Sequence, residues 1–142
     1  MNGILLDINI QGDFAHVLHL LAAQDLLAHW ESGGFVVRTL ADLGLAVNTP
    51  DRTIWNRCQA EGLVLFTENR NDDGPDSLER TIADSLTPDS LPVLTVSNKQ
   101  RFRNDRRYAL VVAERFVETI LDIDDGRLLG VGRLFLPPRT VV

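Results

Sequence analysis

Leu63-Val64-Leu65-Phe66-Thr67 is the stretch that decides the fold. Its first four side chains are apolar at consecutive positions, so both faces of the extended chain are apolar. A strand of that kind belongs in the middle of a parallel sheet with helices on both sides, because a strand with one wet face would alternate. The flanking segments agree. Upstream, Thr49-Pro50-Asp51 predicts a helix start: Thr49 as cap, Pro50 at the first helical position and Asp51 at the positive end of the helix dipole. Ile54, Trp55 and Cys58 supply that helix's inner face, and Gly62 ends it. Downstream, residues 69–76 form a polar turn containing Gly74-Pro75. Asp76 then opens a helix with Glu79 in the third helical position, as in a capping box. Leu78, Ile82 and Leu86 recur every four residues. Pro88 and Pro92 bracket the exit toward a strand at Val93–Val96.

Further out the alternation continues. Ile4–Leu6 reads as a short buried strand stopping at Asp7. Phe14, Val17, Leu18 and Leu21 fall on one face of a helix with Asp13 as its N-cap, running to about Trp30 and ended by Ser32-Gly33-Gly34. Phe35–Leu40 is a β-branched strand. A last helix starts at Asn104 or Asp105, with Tyr108, Val111, Val112, Phe116 and Ile120 inward. After Asp124-Asp125-Gly126, Leu128–Leu136 supplies a final strand, antiparallel or at an edge, before Pro137-Pro138. Strand–helix alternation of this kind predicts a three-layer α/β domain over residues 1–142. Its mostly parallel sheet has about five strands, with helices on both faces.

Composition narrows the function. The 142 residues suit one domain, and 44% hydrophobic with 24% charged residues argue against disorder. A net charge of −6 argues against a protein that coats nucleic acid with its whole surface. It leaves room for an acidic nuclease that holds its substrate through a metal and a local basic patch. The single cysteine, Cys58, excludes an internal disulfide and fits a reducing compartment. No apolar run approaches the roughly 20 residues of a membrane span, and Met1-Asn2-Gly3-Ile4 opens without a basic leader. The expectation is a cytoplasmic protein with no membrane association.

In an open parallel sheet, ligands bind at the carboxyl ends of the strands. Asp7 and Asn9 follow the first strand, Asp51 begins the helix after the second, Glu68, Asn69, Asn71 and Asp72 follow the third, and Ser97 and Asn98 the fourth. Hard oxygen donors from several elements suit Mg²⁺ or Mn²⁺, whereas zinc prefers nitrogen and sulfur. Each residue also has a plain structural explanation. Asp51 complements the helix dipole, Asn69 and Asn71 are ordinary turn formers, and Asp72 and Asp73 are solvated charges. Asp7 is harder to dismiss: a carboxylate closing a buried strand needs partners, although backbone N–H groups alone could supply them.

Ile4-Leu5-Leu6-Asp7-Ile8-Asn9, Thr39-Leu40-Ala41-Asp42-Leu43-Gly44-Leu45, Asp51 with its helix, and Val64-Leu65-Phe66-Thr67-Glu68-Asn69-Arg70-Asn71 occur in this order over roughly residues 3–100. The series resembles the PIN-like domains of small bacterial proteins, relatives of the toxin ribonucleases of toxin–antitoxin modules. The resemblance implies a Mg²⁺- or Mn²⁺-dependent nuclease cutting RNA phosphodiester bonds, with an antitoxin or other protein as an expected partner; an exposed apolar patch or the C-terminal Arg133-to-Val142 strand is the expected surface for a homodimer. It places Asp7 on the family's strand-one aspartate and Asp51 on the acid at the helix start. The family's third cluster, threonine-x-aspartate-x-aspartate, is here Thr67, Asn69 and Asn71. Asparagine can ligate a metal but brings no negative charge and cannot act as a base. The resemblance therefore assigns catalysis to Asp7, Asp51, Asn69 and Asn71 and the metal to Asp7, Asp51 and Asp72, with Glu68 turned away if strand alternation holds. The alternative is a PIN-like fold without catalysis, serving as a binding or oligomeric module.

Lys99, Arg101, Arg103, Arg106 and Arg107 against Asp105 give +5 − 1 = +4 within nine residues. Together with Arg70 they are the expected nucleic-acid contacts, since arginine suits phosphate and positive charge at a helix start is otherwise mildly unfavourable. His16 and His19 lack a third nitrogen or sulfur ligand. Trp30 and Trp55 read as core, and Cys58 as a small buried hydrophobe. A receiver-like phosphoryl-transfer domain would need a lysine beyond the fourth or fifth strand, and Lys99, the only lysine, sits poorly for that.

Overall fold

The computed structural model describes residues 1–68 and 77–138. It contains strands β1 (Gly3–Leu6), β2 (Val36–Thr39), β3 (Leu63–Glu68), β4 (Val93–Val96) and β5 (Arg133–Leu136). The helices are α1 (Phe14–Ala23), α2 (Leu27–Ser32), α3 (Asp51–Glu61), α4 (Leu78–Ser85), α5 (Lys99–Asn104) and α6 (Arg106–Asp124), with short 3-10 turns at Gln11–Asp13 and Ala41–Leu43. The sheet order is β2-β1-β3-β4-β5, and every pairing is parallel. β5 is thus a parallel edge strand, not antiparallel, and it is shorter than the predicted Leu128–Leu136. The long α6 crossover carries the chain back to the starting end of the sheet, which a tight turn could not do.

Strand alternation sorts the core into two layers. Ile4, Leu6, Val64, Phe66, Leu94 and Val96 face α1, α2, α5 and α6, meeting Phe14, Val17, Trp30, Phe102 and Phe116. Leu5, Leu63, Leu65 and Val93 face the other way, against Ile54, Trp55 and Cys58 of α3 and Leu78 of α4. Each such fully buried Leu, Ile or Phe contributes about 2 kcal/mol of apolar transfer. Two glycines serve this packing. A Cβ on Gly3 would lie 2.0 Å from the Val36 carbonyl oxygen, so β1 approaches β2 through it. Gly62 ends α3 at φ 69°, a left-handed position that glycine accepts at no steric cost.

Several predicted helix boundaries shift. The helix from Asp13 does not reach Trp30: it breaks after Ala23, where Asp25 adopts φ 59°, and α2 restarts at Leu27. Asp13 holds the N-cap position but makes no capping bond, its carboxylate being engaged elsewhere. Thr49 does not cap α3. Its hydroxyl donates to the Ala46 carbonyl, and Pro50 takes the cap position with Asp51 the first helical residue. The cap of α4 is Ser77, whose Oγ accepts from Arg80 N, which puts Glu79 at the second helical position and not the third. Asp105 does cap α6, accepting from Tyr108 N, but Lys99–Asn104, expected as loop, is the separate helix α5. Val111, predicted inward, is exposed, and Ala109, Ala113, Val117 and Ile123 complete α6's buried face instead.

Candidate functional site

The sheet order reverses direction between β1 and β3, and Asp7 and Thr67 stand at the carboxyl ends of these two strands. This is the switch point where open α/β sheets place their ligands. Asp7 extends the ladder past β1, its N–H donating to the Phe66 carbonyl at 3.0 Å. By alternation Asp7 shares the face of Leu5, and Thr67 that of Leu65, both on the α3 side. Their side chains meet there: Thr67 Oγ1 donates to Asp7 Oδ2 at 2.8 Å, with the two residues 1% and 4% exposed. Ile8 N donates to Asp7 Oδ1 at 2.8 Å. Asp7 and Asp51 each have further interactions, and neither is a bare charge.

Asp51 starts α3 on this same side of the sheet, at the positive end of the helix dipole. The closeness of Asp7 to α3 registers in Cys58, about two turns further along it than Asp51. Burial pushes the Cys58 thiol up to about 12, and the charges of Glu61 and Asp7 add to that rise. Asp42, from the second quoted motif, has a local role. Its carboxylate accepts from Thr39 N at 2.8 Å while its own N–H reaches Thr39 Oγ1. The Thr39 backbone bond leads in holding its pKa below the usual carboxylate range.

Glu68 behaves as alternation predicts. It lies on the opposite face from Thr67, and its Oε2 is 3.1 Å from Lys99 Nζ. Lys99 also donates to the Asn9 carbonyl and stands 3.9 Å from Asp13 Oδ2. Arg103 grips Asp13 through two bonds, Nε to Oδ1 at 3.1 Å and an NH to Oδ2 at 3.0 Å. The Asp13 hydrogen bonds are the first cause of a raised Arg103 pKa. Glu68, Lys99, Asp13 and Arg103 thus form a charge-balanced network tying the ends of β3, β4 and the chain after β1 together. Two of the expected nucleic-acid contacts, Lys99 and Arg103, are occupied in it. Reading the sequence alone missed Asp13 as their partner, because the pairing joins residues 90 positions apart.

Of the rest of the basic cluster, Arg101, Arg106 and Arg107 are exposed. Arg101 pairs with Asp105 and lies over the Tyr108 ring, whereas Arg106 and Arg107 reach solvent. Burial leads in raising the Tyr108 phenol, against Arg101's charge and hydrogen bonds at Asn98 and Ser97. Asn69, Arg70, Asn71 and Asp72 lie outside the described residues. Among the described residues, no three His, Cys, Asp or Glu side chains gather closely enough to hold a metal. His16 and His19 stack on each other, with no third ligand among the described residues. Among the same residues no helix is long and apolar enough to cross a membrane. Compared with models of known protein families, with curated proteins and with solved structures, the chain finds no match.

Asp7, Thr67 and Asp51 supply two carboxylates and a hydroxyl on the α3 side of the sheet, the type of oxygen donor a hard divalent cation takes.

Proposed function

We propose that the protein is a PIN-like, Mg²⁺- or Mn²⁺-dependent ribonuclease whose centre is built on Asp7 and Asp51. The observation that carries this reading is Asp7 itself. A carboxylate almost removed from solvent, at the switch point of a parallel sheet, is oriented by a neighbouring hydroxyl and a backbone amide. Burying a charge this far is costly, and a fold without use for it would more simply carry an apolar residue there. Asp7 and Asp51 would hold the ion, with Asp72 as the third carboxylate and Asn69 and Asn71 as neutral donors. Bound there, such an ion lowers the pKa of a water and neutralises charge on the phosphate. Thr67 Oγ1 and Ile8 N hold the Asp7 carboxylate in one orientation. Lys99 keeps Glu68 on the opposite face, so this acid does not compete for the centre. Exposed Arg106 and Arg107 offer charge to an RNA backbone on the same edge of the sheet.

The test is cleavage of a mixed single-stranded and hairpin RNA in Mn²⁺ by the wild type, Asp7→Asn, Asp51→Asn and Glu68→Gln. The expected result is a loss of about a hundredfold or more in the first two variants and near wild-type cleavage in Glu68→Gln. Equal cleavage by wild type and Asp7→Asn contradicts the proposal. A second reading draws on Glu68: with this acid taken by Lys99 and asparagine at 69 and 71, the domain binds RNA without cutting it. Wild-type protein that binds RNA in EDTA but never cleaves in Mn²⁺ favours that reading.

A further inference from the structure

Beside α6, at the carboxyl edge of the sheet, an open pocket of about 440 Å³ is lined by Arg101, Asp105, Arg107, Tyr108, Val111 and Pro137. Arg101 is held in it as a fixed plate. Its guanidinium carbon lies 4.4 Å from the Tyr108 ring centroid, and one NH is 3.3 Å from Asp105 Oδ2. Asp105 is itself anchored, its Oδ1 accepting from Tyr108 N. Pro137 is fixed by Ser97 Oγ, which donates to its carbonyl at 2.7 Å. Val111 is 41% exposed although apolar. Arg107 is exposed, and among the described residues it has no carboxylate partner.

This combination selects a ligand chemistry. Asp105 already neutralises Arg101, so that guanidinium offers a flat face more than a charge. Among the described residues lining the pocket, one unpaired cation remains, Arg107. A dense polyanion gains little from a pocket with one net positive charge and a carboxylate in its wall. A flat aromatic group bearing a single adjacent negative charge gains from both parts. Nucleobases stack on arginine planes, and phosphates pair with arginine. We infer that this pocket is a nucleotide subsite for single-stranded RNA, with a base on the Arg101 plate and a neighbouring phosphate at Arg107. The inference rests on the ribonuclease reading for its substrate class. It places the contact away from the reacting bond, because β5 is the third strand over from β1, about 14 Å at ordinary sheet spacing. These are positioning residues for the strand, not catalytic ones.

Tyr108 is the only tyrosine in the chain, so protein labelled with ¹³C-tyrosine reports on the pocket through one residue's ring signals. The whole protein is titrated in EDTA, where no cleavage occurs, with a hexamer of adenylate. The expected result is a saturable shift of the Tyr108 signals. Arg101→Lys keeps the charge but loses the plate, and should weaken binding about tenfold, as should Arg101→Ala. Arg107→Lys keeps a phosphate-binding charge and should stay within about twofold. Arg80→Ala, on α4 at the opposite layer of the sheet, should bind as the wild type does. The inference is overturned if the Tyr108 signals stay fixed, or if Arg101→Lys binds as tightly as wild type. Tripolyphosphate or hexaglutamate moving the signals as strongly as RNA also overturns it, by marking a general anion or acidic-protein site. Asp7→Asn should bind as wild type does. Loss of cleavage with binding intact therefore sinks only the catalytic reading, and cleavage without a Tyr108 response sinks only the subsite.

Discussion

Replacing Thr67 with valine removes one hydroxyl and leaves the shape of the side chain in place. Thr67 is 1% exposed and its Oγ1 lies 2.8 Å from Asp7 Oδ2, so water cannot readily take over the lost bond. A hydrogen bond to a charged acceptor is worth about 1.5–3 kcal/mol. Asp7 keeps its bond from Ile8 N, which places the expected loss near the middle of that range, at about 2 kcal/mol. For a chain of this length that lowers Tm by about 6–8 °C. The assay is urea denaturation in EDTA, extended to a double-mutant cycle with Asp7→Ala. If the hydroxyl acts through Asp7, the two changes couple by about 1 kcal/mol or more. Thr67→Ser should retain the coupling while losing only the packing of a methyl group. A Thr67→Val loss under about 0.5 kcal/mol, or full additivity in the cycle, refutes the assignment of Thr67 as the group that orients Asp7.

Three further outcomes are expected. The Cys58 thiol, ordinarily ionising near 9.0 and here pushed up to about 12 by burial, stays protonated in the fold while the unfolded chain loses its proton. Between those values the unfolded state binds fewer protons, so stability falls as pH rises, by up to about 1.4 kcal/mol per pH unit from this group. Denaturation from pH 8 to 11 should show that slope, reduced in Cys58→Ala, and native Cys58 should resist iodoacetamide at pH 8. Gly3→Ala sets a methyl against the Val36 carbonyl and should cost about 3 kcal/mol in thermal melts; a near-neutral result contradicts the close β1–β2 approach. Asp13→Ala should cost about 2 kcal/mol, because it strips partners from both Lys99 and Arg103. Arg103→Ala, whose side chain is about half exposed, should cost under about 1 kcal/mol. Urea melts of the two variants check the asymmetry.

The sheet was legible because its strands are short apolar runs bounded by Gly62, Asp7 and prolines, and Val93–Val96 matches its prediction residue for residue. The break between α1 and α2 was not legible. It sits at Gln24-Asp25, where no glycine or proline marks it, and a non-glycine residue takes the positive φ. Helix α5 was hidden by its charge: five of its six residues are polar, and Phe102 alone is buried. The direction of β5 depends on where a 19-residue helix delivers the chain, which no local pattern encodes. At the site, Asp7 stood out because a carboxylate ends an apolar strand, and alternation alone put Glu68 on the other face. Lys99 and Arg103 read as a basic patch because their acidic partners, Glu68 and Asp13, come from distant elements that only the tertiary fold brings near.

We propose that Asp7 and Asp51 share a divalent cation at the β1–β3 switch point. Anomalous scattering from crystals soaked in Mn²⁺ tests it most directly. The expected result is a peak between the two carboxylates, lost in Asp7→Asn. No peak there, or one found only at another site such as His16 and His19, contradicts it.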